Sequence, residues 1–109
     1  MPNDLPQSEA KFGVGQLIHH RKFDYRGVII DVDHRFNGTE DWYNQVARSR
    51  PPREKPWYHV LVDDSELRTY VAERNLEPDY SGKPVNHPDI AEYFEDLTPE
   101  GYVSRRKGN

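Results

Sequence analysis

The run Val28-Ile-Ile-Asp-Val-Asp33 constrains this chain more than any other stretch. β-Branched side chains crowd a helical turn but sit well on a pleated surface, so the run predicts a strand. At period two, Val28, Ile30 and Val32 share one face. A second run, Trp57-Tyr-His-Val-Leu-Val-Asp63, predicts another strand. Asp64-Ser65 then turns the chain into Glu66–Ala72, where Leu67, Thr69 and Val71 alternate with Arg68, Tyr70 and Ala72, the pattern of a β-hairpin. Upstream, two glycines bracket Val14 and predict a tight turn into a short strand, Gln16–Arg21. Downstream, Glu73–Leu76 reads as a single 3₁₀ or helical turn, with Leu76 plugging one end of the sheet.

Residues 34–56 interrupt this rhythm. Thr39 is placed to cap a short helix over about 39–48, with acids in its first turn and Trp42/Val46 and Tyr43/Ala47 paired at i,i+4. Pro51, Pro52 and Pro56 then exclude helix interior and central strand. A connection well beyond about 12–15 residues is usually functional or mobile, and a mobile loop is expected. His87-Pro88-Asp89 predicts a C-terminal helix over about 88–97, with Ile90, Tyr93, Phe94 and Leu97 on one face. Residues 1–10 and 98–109 read as flexible ends around a single domain at 11–97, and the 109-residue length leaves no room for a second. The predicted fold is mainly β: a small SH3-like bent barrel, with an open sandwich as the structural alternative.

Several chemistries are excluded or weakened. Without cysteine there is no disulfide, thiolate metal site or cysteine nucleophile. No apolar run approaches the ~20 residues of a membrane span, and the polar start is not a secretory signal, so a soluble cytoplasmic protein is expected. His19, His20, His34, His59 and His87 show no ligand spacing, and neighbouring strand residues such as His19 and His20 point to opposite faces. Asp31 and Asp33 share a strand face, where a cation or an acid–base pair is conceivable, but the wet face of a half-buried strand accounts for them. Gly13-Val-Gly15 lacks the Lys-Ser/Thr of a phosphate loop. No enzyme, metal or cofactor is expected.

Charge is more informative. The net charge is −4, yet residues 11–27 and 42–57 each carry four cations against one acid. His19-His-Arg-Lys-Phe-Asp-Tyr-Arg26 interleaves cations with aromatics, a mixture suited to phosphate contact and base stacking. Arg48–Lys55 suits either the same task or an extended docking segment for a protein partner.

The segment Phe12–Asp33, with the later blocks Pro56-Trp-Tyr-His-Val-Leu-Val-Asp63 and Thr69-Tyr-Val-Ala-Glu-Arg-Asn-Leu76 and then His87-Pro88, resembles the HspQ heat-shock proteins, also described as YccV-like hemimethylated-DNA-binding proteins. The resemblance spans about residues 11–97. It implies an SH3-like barrel, a bacterial cytoplasmic setting and homo-oligomers, trimers among them. It also implies two activities. One is stress-response modulation of the ATP-dependent protease Lon, with the protein itself a substrate. The other is binding of hemimethylated DNA, with an effect on the replication initiator. The first is the favoured expectation, with Tyr102, Val103, Arg105, Arg106 and Lys107 as the tail the protease reads. The alternative assigns DNA contact to Arg21, Lys22, Arg26, Arg48, Arg50 and Arg53. The proline-rich loop 48–56 and the tail depart from the family pattern.

Overall fold

The computed structural model describes residues 9–105. Among them run β1 (Leu17–His20), β2 (Arg26–Asp33), α1 (Glu40–Val46), β3 (Trp57–Val62), β4 (Arg68–Ala72), a 3₁₀ turn (Glu73–Asn75), β5 (Leu76–Pro78), α2 (Ile90–Tyr93), β6 (Phe94–Thr98) and β7 (Gly101–Ser104). The first five strands form one antiparallel sheet in the order β4-β3-β2-β1-β5, and β6 and β7 form a separate hairpin. The mainly β, bent barrel-like fold is the one the sequence predicts.

β3 is buried along nearly its whole length, with only His59 partly open. A strand covered on both faces needs a continuous apolar run rather than alternation, and Trp57–Val62 supplies one. On one face Ile18, Ile29, Tyr58, Val60, Val71 and Leu76 pack together, with Ala10 and Phe12 laid over them. On the other, Leu17, Val28 and Leu61 meet Val85 and Phe94. A third cluster joins Tyr43 and Ala47 to Trp57 and Ala72 beneath α1. Leu76 is buried in the first cluster, as its plug role requires.

β2 departs from simple alternation. Ile29 pairs with Val60 and Asp31 with His59, which leaves Ile30 as an extra residue in a β-bulge. A bulge inverts the faces beyond it. Val28 and Ile30 therefore pack with Phe94, whereas Val32 joins Ile29 in the opposite cluster. The expected common face of Val28, Ile30 and Val32 is corrected accordingly.

The 34–56 connection is fastened to the rest of the fold by hydrogen bonds. Thr39 caps α1 by accepting from Trp42 N at 3.1 Å. The Tyr43 hydroxyl donates to Pro51 O at 2.6 Å, Trp57 Nε1 donates to Pro52 O at 3.1 Å, and Phe36 N donates to Arg53 O at 2.7 Å. Prolines lack a donor but keep a full acceptor, and here two of those carbonyls receive buried aromatic donors.

The C-terminal helix is also corrected. Only Ile90–Tyr93 is helical, and Phe94–Thr98 pairs with Gly101–Ser104. The four residues expected on one helix face do reach one cluster with Leu61 and Val28. Their spacing marked burial correctly, but short apolar patterns do not separate helix from strand. Hairpin formation is settled at the Thr98–Gly101 turn, where Thr98 Oγ1 donates to Gly101 O at 2.8 Å and Gly101 takes φ 126°. Residues 101–105 are consequently ordered structure. Of the expected flexible ends, residues 1–8 and 106–109 lie outside the described residues.

The hairpin closes on the first turn of the domain. Tyr102 N donates to Gly15 O at 2.8 Å, and Gly15 N donates to Ile29 O at 2.8 Å. Gly15 has φ +92°, and a Cβ there would lie 2.1 Å from the Tyr102 carbonyl oxygen. Gly15→Ala is expected to lower stability by about 2–4 kcal/mol through backbone strain and the separation of β7. Urea unfolding measures this, and an unchanged midpoint would show that the two segments are not in contact.

Candidate nucleic-acid interface

The turn between β1 and β2 is built around His20. Its Nδ1 accepts from Lys22 N at 3.1 Å and from Phe23 N at 3.0 Å. His20 N donates to Tyr25 O at 2.8 Å, and Asp24 adopts φ 58° to complete the turn. This holds Lys22 and Phe23 outward, and Phe23 is 68% exposed with its ring stacked on His20 at 4.7 Å. Tyr25 is not presented in the same way. Its hydroxyl pairs with Thr69 Oγ1 at 2.7 Å, and burial raises its pKa.

Opposite Phe23 stand Trp42 and Val46 of α1, and between them lies a groove of about 300 Å³ floored by Tyr70, Val71 and Ala72. Lys22 and Arg48 line the same groove. Arg48 also lines an adjoining hollow with Asn44, Gln45 and Arg50. The structure therefore brings together cations from two basic stretches that are far apart in sequence. Arg74, which the sequence reading did not single out, reaches the same region by donating from Nη2 to Ser49 O at 2.9 Å. Trp42 and Val46 were legible as a helical pair; that they face Phe23 across a groove was not.

The other predicted cations are engaged. Arg26 donates to Asp79 at 2.9 Å, to Asp63 at 3.0 Å and to Lys83 O at 2.6 Å, so it fastens the 79–84 loop to β2. Arg53 holds Glu40 and lies 3.9 Å over the Tyr43 ring. Arg21 donates to Leu76 O at 3.3 Å, with Glu77 at 3.9 Å, and remains 58% exposed. Arg50 donates to Asn44 Oδ1 at 3.3 Å.

The tail residues are placed differently from expectation. The Tyr102 hydroxyl accepts from Val85 N at 2.9 Å, and its ring packs 5.1 Å from Phe94. Arg105 donates from Nε to Ala91 O at 2.6 Å. Val103 is exposed, and Arg106 and Lys107 lie outside the described residues.

Asp31, Asp33 and His59 each offer a ligand atom, all within 4.8 Å of one another. Asp33 Oδ2 already accepts from the Tyr70 hydroxyl at 2.7 Å and from His59 Nε2 at 3.1 Å, so these groups form a polar tie across β2, β3 and β4. A hollow lined by Asp31, His59, Arg68 and Glu92 adjoins them. Among the described residues no helix is long and apolar enough to cross a membrane.

A family model described as hemimethylated DNA-binding protein, YccV-like, matches residues 10–101.

The adjacent histidines of β1 are opposed in their titration. Both ring nitrogens of His19 face carboxylates, Asp24 at 2.7 Å and Glu77 at 2.7 Å, an arrangement that requires the imidazolium; hydrogen bonds to Asp24 and then Glu77 raise its pKa. Burial lowers that of His20, with His19 and Lys22 adding to the effect. NMR titration should place His19 above 6.5 and His20 below it. The His19 link to β5 is fully present below pH 6.5 and is lost as pH rises through the elevated value. Asp24→Asn should bring His19 down, and an unmoved pKa would show that the contact is absent. Arg26→Ala should cost about 3–5 kcal/mol in urea unfolding because it leaves Asp63 and Asp79 half-buried without their cation. Lys22→Ala should stay within about 0.5 kcal/mol of the parent.

Proposed function

Because the chain belongs to the YccV-like family, we propose that it is a non-enzymatic DNA-binding module that takes a hemimethylated duplex on the face carrying Lys22, Arg48 and Arg50. One observation carries this reading: Lys22 and Arg48 rim a single aromatic groove, and neither charged group has an ion-pair partner among the described residues. Phosphate contact needs such cations, and a net negative chain can still bind if they are gathered on one face. Of the nearby acids, Glu40 is paired with Arg53 and Asp24 with His19. Arg21 flanks the same turn and is the next contact in line. Arg26 and Arg53 serve the site as fasteners of its loops.

The competing reading, modulation of a Lon-type protease through the tail, gains nothing from this geometry. Tyr102 and Arg105 are held by Val85, Phe94 and Ala91, which leaves that reading to Val103 and to Arg106 and Lys107 outside the described residues.

Affinity for a hemimethylated duplex should fall log-linearly with salt, by about 0.9 log unit per log unit for each phosphate neutralised. Lys22→Ala and Arg48→Ala should each reduce that slope by about 1. A flat salt dependence would reject the reading. Equal affinity for unmethylated, hemimethylated and fully methylated duplexes would retain DNA binding and remove recognition of the mark.

A further inference from the structure

We infer that the groove between Phe23 and Trp42 receives a single unstacked nucleobase, with His20 Nε2–H as the donor that reads its edge. This deepens the DNA-binding reading and rests on it. Three observations converge. First, the lining is aromatic: Phe23 is 68% exposed, stacked on His20 with Lys22 Nζ 5.8 Å from its ring centroid, and the half-buried Trp42 stands 5.7 Å from the Tyr70 ring. A base in a duplex presents its edges, whereas only an unstacked base offers a face to such rings. Second, the rim is cationic, with Lys22 on one side and Arg48 on the other. A base cannot enter without its flanking phosphates, and these two groups meet that charge.

Third, His20 carries an unmet donor. The residue is 3% exposed and lines the groove. Its Nδ1 accepts two backbone N–H groups, which fixes the proton on Nε2. No described residue accepts from Nε2, although a buried donor is ordinarily paired. A ring nitrogen or carbonyl oxygen of a base supplies the missing acceptor. The groove's own chemistry favours a base over an acidic peptide: carboxylates would meet the two rim cations but leave the His20 donor and the facing rings without their partner.

Trp42 and Trp57 both line the groove, their rings 6.0 Å apart, so quenching by a bound base reports occupancy of the groove. Titrating the full chain with a short single-stranded oligonucleotide should quench tryptophan emission saturably, and a polyphosphate of equal charge should not. Phe23→Ala, at an exposed site that leaves the fold intact, should weaken the oligonucleotide about tenfold or more while preserving the salt slope. His20→Asn provides a second reading: its amide oxygen can keep the Nδ1 role toward Lys22 N and Phe23 N while the Nε2 donor is removed, so affinity for oligonucleotide should fall with an unchanged response to polyphosphate. If the hemimethylated duplex binds with its salt slope but no oligonucleotide quenches tryptophan emission, the groove assignment is overturned and duplex binding stands. If oligonucleotide quenches but no duplex binds, the groove assignment stands and the duplex reading falls. If polyphosphate quenches equally, or Phe23→Ala binds oligonucleotide as the parent does, the base has no place in the groove.

Discussion

Val60 and Leu61 are neighbours on β3 that face opposite ways, and each anchors one of the two layers around the sheet. Val60 lies in the cluster with Ile29 and Val71; Leu61 lies in the one with Val28 and Phe94. Full burial of side chains this size contributes about 1.5–3 kcal/mol each. More important is the geometry. A five-stranded sheet apolar on one side only would leave Leu17 and Val28 in water, so the short C-terminal hairpin is an obligatory cover. The rest of the molecule follows from covering both faces of one strand. The β2 bulge re-aims its last residues, the proline segment lies against Trp57, and the 3₁₀ turn delivers Leu76 to the sheet's end.

The main sheet was legible from residue type alone. The β-branched run at 28–33 and the aromatic and aliphatic run at 57–62, with the Asp64-Ser65 turn, marked three strands and a hairpin because local preference and tertiary demand agree there. The Thr39 cap was legible for the same reason. What the sequence did not disclose was decided by partners distant in the chain. Phe94–Thr98 has helical spacing, yet its hydrogen bonds go to Gly101–Ser104 once Gly101 can take φ 126°. A bulge at Ile30 leaves no mark in a run of three β-branched residues. Arg26 looked like a phosphate ligand because its anchors, Asp63 and Asp79, lie far along the chain.

The candidate site shows the same division. Cations interleaved with aromatics at 19–26 were visible as a composition. Their sorting was not: Phe23 outward, Tyr25 inward, Arg26 engaged in ion pairs, and Lys22 without one, 5.8 Å from the Phe23 ring centroid. That sorting depends on the Nδ1 lone pair of His20, which accepts the two successive amides of the turn. A buried neutral imidazole thus acts as the template of an exposed recognition edge, and the residue that organises the site is one of the least accessible in it.

The contact between Gly15 and Tyr102 has a consequence for how the molecule comes into being. The first turn of the domain is completed by Tyr102, so the sheet's outer layer cannot close until residues 94–104 have been synthesised. Pairings this distant are slow to form because the intervening chain must lose its freedom first. A nascent molecule would expose Leu17, Val28 and Leu61 until that hairpin emerges, an interval in which it is open to chaperones and to aggregation.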